Sequence, residues 1–206
     1  MTTTKVKICG ITSVDDALAA VDAGADAIGL VFYDRSKRHI EAKAAQRIVA
    51  RLGPFVTTVG LFVNAPLDTV ERTCLETGIH VVQLHGDEDA TYCEGLSIPF
   101  VKAIRMAPDI DPQQAVTSFS QAAGILFDAW HPDQYGGTGQ CFDWRRLSDV
   151  AGQSIILAGG LNADNVAAAV AETRPYAVDV SGGVELAPGK KDAFLMQRFV
   201  KAAKSL

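Results

Sequence analysis

The sequence predicts an α/β fold, a single (β/α)₈ TIM-barrel domain over residues 1–206, and three observations carry that prediction. Short β-branched or continuous apolar runs alternate along the chain with alanine-rich segments of helical period, the pattern of repeated β-α units around a parallel sheet buried on both faces. Eight such pairs at an average spacing of about 25 residues fit a small barrel near the lower size limit of the fold. The glycine clusters fall after the seventh and eighth runs. A doubly wound open sheet usually has fewer strands and carries G-x-G-x-x-G after the first, whereas the first turn here reads Cys9-Gly10-Ile11-Thr12.

The first strand is expected over 6–9, leading into a helix over 13–23 with Ser13 as N-cap and Asp15 and Asp16 in its first turn. A strand over 27–32 precedes a helix over 41–52, a strand over 57–63 precedes one over 66–77, and a strand over 81–85 precedes one over 88–95. The second half repeats the pattern, with strands at 100–104, 124–128, 155–158 and 177–181. Their helices are expected at 111–121, 144–150, 163–172 and 192–204. The prolines stand singly and no stretch rich in Ser, Pro or Gly separates two compositions, so no linker divides the chain.

The 206 residues, 48% hydrophobic and 21% charged, are enough for one sizeable core. With 19 basic against 24 acidic residues the formal net charge is −5, so nucleic acid is not an expected partner. The N-terminal segment shows no secretory pattern and no apolar stretch approaches the roughly 18 residues a membrane helix needs, so a cytoplasmic protein without a membrane partner is expected. The four cysteines, Cys9, Cys74, Cys93 and Cys141, form no Cys-x-x-Cys pair and read as free thiols rather than a zinc site or disulfide framework.

In a barrel of this kind function belongs where strands end and the following loops begin. At the end of the first strand, Cys9 is either a base or nucleophile with partial thiolate character or a small buried core residue. After the second strand, Arg38 in the basic loop Arg35-Ser36-Lys37-Arg38-His39 either grips a carboxylate or phosphate with its fork or belongs to a solvated charge cluster. Asp128 follows three apolar strand residues, where partial burial would suit general-acid work and where it could equally cap the next turn. His85, ending the fourth strand, either orients a substrate or satisfies a backbone group.

The seventh strand opens into Ala158-Gly159-Gly160-Leu161-Asn162 and the eighth into Asp179-Val180-Ser181-Gly182-Gly183-Val184-Glu185. Glycines let backbone N–H groups approach a phosphate, and paired glycine loops after the last two strands match the usual phosphate position of such barrels. A further glycine loop, Tyr135-Gly136-Gly137-Thr138-Gly139, reads as a lid or a turn cluster. These residues imply a small phosphorylated ligand, an anion clamp at Arg38 and an acid/base pair of Cys9 and Asp128. They contain no metal-ligand cluster and no cofactor box.

The stretches Lys7-Ile8-Cys9-Gly10-Ile11-Thr12, Phe32 through Ser36-x-Arg38, Val59-Gly60-Leu61-Phe62-Val63-Asn64, Val82-Gln83-Leu84-His85-Gly86, Gly136-Gly137-Thr138-Gly139, and Val178 through Glu185 with Gly189-Lys190-Lys191-Asp192 resemble the phosphoribosylanthranilate isomerases of tryptophan biosynthesis. The match runs in order from about residue 5 to the C-terminus. The resemblance implies an Amadori rearrangement of N-(5-phosphoribosyl)anthranilate to 1-(2-carboxyphenylamino)-1-deoxyribulose 5-phosphate, the third step from chorismate to tryptophan, without metal or cofactor. It implies Cys9 as general base, Asp128 as general acid, Arg38 on the anthranilate carboxylate, and Gly159, Gly160, Ser181, Gly182 and Gly183 as the phosphate cradle. His85 and Asp179 are expected to touch substrate, and the assembly to be a monomer or homodimer. The chemistry calls for a Cys9 pKa lowered from about 8.5 and an Asp128 pKa raised from about 3.9.

Two alternatives stand beside this reading, one on the same barrel and one from a different class. The related histidine-pathway isomerases resemble a two-aspartate design, with an aspartate where Cys9 stands. A non-catalytic sensor of phosphorylated ligands would keep the glycine loops without needing both Cys9 and Asp128.

Overall fold

The computed structural model describes residues 3–130 and 142–205; Cys141 and the glycine loop at 135–139 lie outside the described residues. Eight parallel strands close into a barrel in sequence order: β1 (Lys5–Cys9), β2 (Ala27–Val31), β3 (Thr57–Phe62), β4 (Val81–Leu84), β5 (Phe100–Arg105), β6 (Gly124–Asp128), β7 (Ser154–Leu157) and β8 (Ala177–Val180). Closure comes from β1 pairing with β8, with Lys7 opposite Asp179. The helices are α1 (Val14–Asp22), α2 (Ala42–Val49), α3 (Leu67–Thr77), α4 (Ala90–Glu94), α5 (Pro112–Ser118), α6 (Val166–Thr173) and α7 (Ala193–Ala203).

Strand alternation builds two layers. The outward residues, such as Val6 and Ile8 of β1 and Ile28 and Leu30 of β2, join helix residues including Ala45, Ile48 and Phe199 in the large outer core. Full burial contributes about 1.5–3 kcal/mol for each large apolar side chain. Inside the barrel a smaller cluster of Ala103, Leu126 and Ala158 packs with Val101 and Ile156. The interior is otherwise polar toward the C-terminal ends of the strands, where Lys7, Gln83, His85, Asp128 and Asp179 are all buried.

Ser13 caps α1 as expected, and the structure adds two aspartate caps. Ser13 accepts from the Asp16 N–H, Asp111 caps α5 with Pro112 in its first turn, and Asp192 accepts from the Leu195 N–H. Several helices are shorter than their periodicity suggests, and side chains explain two of the differences. The segment expected as a helix over 144–150 forms only a 3₁₀ turn, Trp144–Leu147. Asp143 takes the Arg145 N–H and its guanidinium, while Arg146 reaches across to the Ala107 carbonyl, 3.1 Å away. Expected from residue 88, α4 starts at Ala90 because Glu88 turns inward to Lys102, 2.7 Å away, and Asp89 takes over as cap. After β8 the chain adds a 3₁₀ turn, Gly182–Val184, and an antiparallel hairpin, β9 (Glu185–Ala187) with β10 (Lys190–Lys191), which the strand pattern had not marked.

Candidate active site

Every candidate site residue of the sequence lines one cavity of about 750 Å³ at the C-terminal rim: Cys9, Arg38, His85, Asp128, Gly159, Gly160, Asp179, Ser181, Gly182 and Gly183. Strand parity explains the convergence. Cys9 sits two residues beyond Lys7 on β1, and Asp179 two before Ser181 along β8, so each pair points the same way, into the barrel. Cys9 lies beside Gly29 of β2 in register, and a Cβ at Gly29 would sit only 2.7 Å from the Cys9 sulfur and 3.1 Å from Lys7 Cε. The missing side chain is what makes room for both.

Lys7 donates to Asp179 Oδ2 at 3.0 Å and to Gln83 Oε1 at 2.9 Å. Burial works against its charge, but the Asp179 carboxylate beside it holds the pKa above the usual lysine value. Asp179 Oδ1 is buried without a hydrogen-bond partner among the described residues. Cys9 corrects an expectation: burial pushes its thiol up, and Asp179 adds to this, against the opposing charges of Lys7 and Lys191. A lowered pKa would need those cations to outweigh a dry environment, and without ligand they do not.

Asp128 ends β6 with both carboxylate oxygens engaged. Oδ1 accepts the Ala129 N–H at 2.8 Å, so the turn-holding reading is met by one oxygen, while Oδ2 lies 3.2 Å from His85 Nε2. His85 is therefore tied to a side chain of the site through that nitrogen, and its Nδ1 meets Gln83 Nε2 at 2.9 Å.

Arg38 is no solvated cation. Its Nε and Nη2 form a fork on Glu185 at 2.8 and 2.7 Å, and Lys191 Nζ reaches the same carboxylate at 2.7 Å. Burial opposes ionisation of Glu185, yet the two cations hold its carboxyl below the usual range. Two cations on one carboxylate leave a net positive corner, and part of Arg38's set of five donors is left for a ligand. Arg38 stands against the loop after β8: a Cβ at Gly182 would lie 3.4 Å from Nη2. The Arg38 fork and the glycine loop after β8 are thus neighbours.

Gly159 has φ +84° and lies so close to the Ala129 backbone that a Cβ would meet its nitrogen at 2.5 Å. A Cβ on Gly183 would collide with the Leu161 carbonyl. The two glycine loops are therefore packed backbone to backbone, with Gly182 and Gly183 of the 3₁₀ turn lining the cavity.

Lys7, Gln83, Glu185 and Lys191 were not assigned roles from sequence. Lys7 and Gln83 share strand parity with Cys9 and His85, a signal that was present; Glu185 and Lys191 depend on the β9–β10 hairpin, which was not foreseen.

Fold and site define a (β/α)₈-barrel enzyme whose functional groups meet at the C-terminal mouth. The family model for N-(5'-phosphoribosyl)anthranilate (PRA) isomerase matches residues 6–202. An N-(5'-phosphoribosyl)anthranilate isomerase of Acidithiobacillus ferrooxidans is 52% identical over 196 residues, covering 95% of each chain. The structure of phosphoribosyl anthranilate isomerase from Thermotoga maritima superposes with a TM-score of 0.91 at 40% identity, covering 98% of this chain and 100% of that one. Another structure of the isomerase, in complex with reduced 1-(o-carboxyphenylamino)-1-deoxyribulose 5-phosphate, gives 0.87 at 39% identity with 98% and 100% covered. The chain belongs to the N-(5'-phosphoribosyl)anthranilate isomerase family and is an isomerase of tryptophan biosynthesis.

Proposed function

We propose that this isomerase converts N-(5-phosphoribosyl)anthranilate to 1-(2-carboxyphenylamino)-1-deoxyribulose 5-phosphate with Asp128 as general acid and Cys9 as general base, as a single cytoplasmic barrel domain, monomeric or homodimeric. The observation that carries the reading is that a carboxylate ending β6 and a thiol ending β1 open into one cavity with the glycine loops of β7 and β8. Arg38 holds the anthranilate carboxylate, Gly159, Gly160, Ser181, Gly182 and Gly183 hold the phosphate, and Asp179 Oδ1 accepts a substrate donor.

Asp128 gives a proton to the furanose ring oxygen as the aminal nitrogen lone pair forms the C1′=N bond and the C1′–O bond breaks. The resulting iminium is an electron sink beside C2′. Cys9 removes the C2′ proton, its electrons flow to nitrogen, and the enolamine tautomerises to the ketone. The reaction starts from the form in which the one proton held by the pair is on Asp128 and Cys9 is the thiolate, and the substrate's own cation then stabilises that thiolate until it takes the C2′ proton. Gripping both anions fixes the ribose between acid and base.

The test is anaerobic turnover of freshly generated substrate, followed by the change in anthranilate-type fluorescence, with Cys9→Ser and Asp128→Asn beside the wild type. Conversion by the wild type and a loss of at least about 10²-fold in each variant is expected, the scale of a positioned acid or base. Binding without turnover by the wild type would instead favour the sensor.

A further inference from the structure

The hydrogen bonds around His85 have only one consistent polarity. Lysine has donors and no acceptor, so the Gln83 atom 2.9 Å from Lys7 Nζ is necessarily the oxygen. The other end of that amide, Nε2, then only donates, and it meets His85 Nδ1 at 2.9 Å. Nδ1 must accept and carries no proton. The ring proton is on Nε2, directed at Asp128 Oδ2, 3.2 Å away. Lys7 is itself tied to Asp179 at 3.0 Å, so the chain Asp179, Lys7, Gln83, His85, Asp128 crosses the barrel from β8 through β1 and β4 to β6.

This polarity decides where the proton of the acid step resides. An imidazole beside a carboxyl group ordinarily keeps a shared proton, being the more basic partner, with reference values of about 6.5 against 3.9. The carboxylate would then have nothing to give. Here a second ring proton would sit on Nδ1, against the amide N–H of Gln83. Relieving that clash means turning the amide over, which would set its NH₂ group against the Lys7 ammonium in a place where both residues are buried. We infer that Gln83, oriented by Lys7, is a positioning residue for the acid step, holding His85 as the neutral Nε2–H tautomer so that the imidazole cannot take up the proton that Asp128 is to give.

The inference rests on Asp128 as the general acid, but the lock itself can be read without it. Among the described residues, charged or titratable groups beside the pair or in its cavity include Lys7 and Cys9 on β1, Tyr33, Arg35 and Lys37 of the loop after β2, Asp179 on β8, and Arg105, the β5 register neighbour of Asp128. Arg105 is paired with Asp87 at 2.6 Å, and Arg38, Glu185 and Lys191 stand across the cavity. The partner of Nδ1 is the Gln83 amide, which sets its state.

The experiment is ¹⁵N NMR of the full chain labelled at histidine, with the His85 signals assigned by their loss in His85→Gln. Wild-type His85 is expected to show an unprotonated Nδ1 and a protonated Nε2 near neutrality. Gln83→Glu can accept from both Lys7 and an Nδ1–H, so its His85 should become doubly protonated, with kcat down by about 10²-fold and KM little changed. Gln83→Met, which removes the lock without adding charge, should move the His85 Nδ1 signal away from its wild-type position. A wild-type His85 that is an imidazolium or the Nδ1–H tautomer near neutrality overturns the inference, as does an unaltered His85 spectrum in Gln83→Glu. Undiminished turnover by Asp128→Asn would instead remove the acid assignment while leaving the spectral result intact.

Discussion

Replacing Gly29 by alanine tests whether the position of the Cys9 sulfur controls the rate. The added Cβ would stand 2.7 Å from Sγ and 3.1 Å from the Cys9 Cα. Carbon contacts are comfortable at about 3.5–4.0 Å, so the sulfur must move by about 1 Å, and Lys7 Cε, also at 3.1 Å, must give way too. A misplacement of about 1 Å can cost about 10²-fold, which is about 2.7 kcal/mol of transition-state stabilisation. The backbone at Gly29 is ordinary strand in register with Cys9, so alanine adds bulk without dihedral strain. Overpacking should also lower stability by about 1–3 kcal/mol. The assay is kcat and KM by the fluorescence change, with urea unfolding in parallel and Gly53→Ala as the control, since a Cβ there meets nothing within 4 Å. A Gly29→Ala enzyme that is folded and keeps kcat within about twofold, against the expected 10², would refute the claim that Cys9 acts from this place.

Three further outcomes are expected. Lys102→Met should destabilise the fold by about 3–5 kcal/mol in chemical unfolding, because it strands the buried Glu88 carboxylate that also anchors the Asn64 and Gly86 N–H groups; a loss under about 1 kcal/mol would show that those N–H groups suffice. Gly183→Ala, by forcing the two glycine loops apart, should raise KM more than it lowers kcat, and an unchanged KM would take Gly183 out of the phosphate cradle. The productive form, thiolate with carboxylic acid, holds the same single proton as thiol with carboxylate, so kcat/KM against pH should be a bell. Because burial raises the Cys9 pKa above its ordinary value of 9.0, removal of that last proton, and with it the alkaline limb, should lie above pH 9. A limb falling near neutrality would contradict the buried thiol.

Much of the site could be read locally. Strand parity aims Cys9 inward from β1 and Asp128 from β6, and the glycines after β7 and β8 mark where backbone approaches backbone, so these residues announce themselves within a few positions of sequence. The same parity pointed Lys7 and Gln83 inward, but gave them no task. Their task comes from partners 172 and 76 residues away from Lys7, Asp179 and Gln83, which only barrel closure brings within hydrogen-bond reach. Arg38 is the same case: its loop is visible, yet the Glu185 that orients it is 147 positions distant and on a hairpin too short to leave a periodic signal.

The alternation of apolar runs, the cap at Ser13 and the glycine positions are properties of short stretches, and the sequence alone determined the barrel and the residues at its mouth through them. Protonation and orientation were decided by the tertiary structure. Whether a thiol is raised or lowered, which nitrogen of His85 carries the proton, and what holds an arginine fork depend on burial and on charges contributed by other strands, and those are set only when β8 closes on β1.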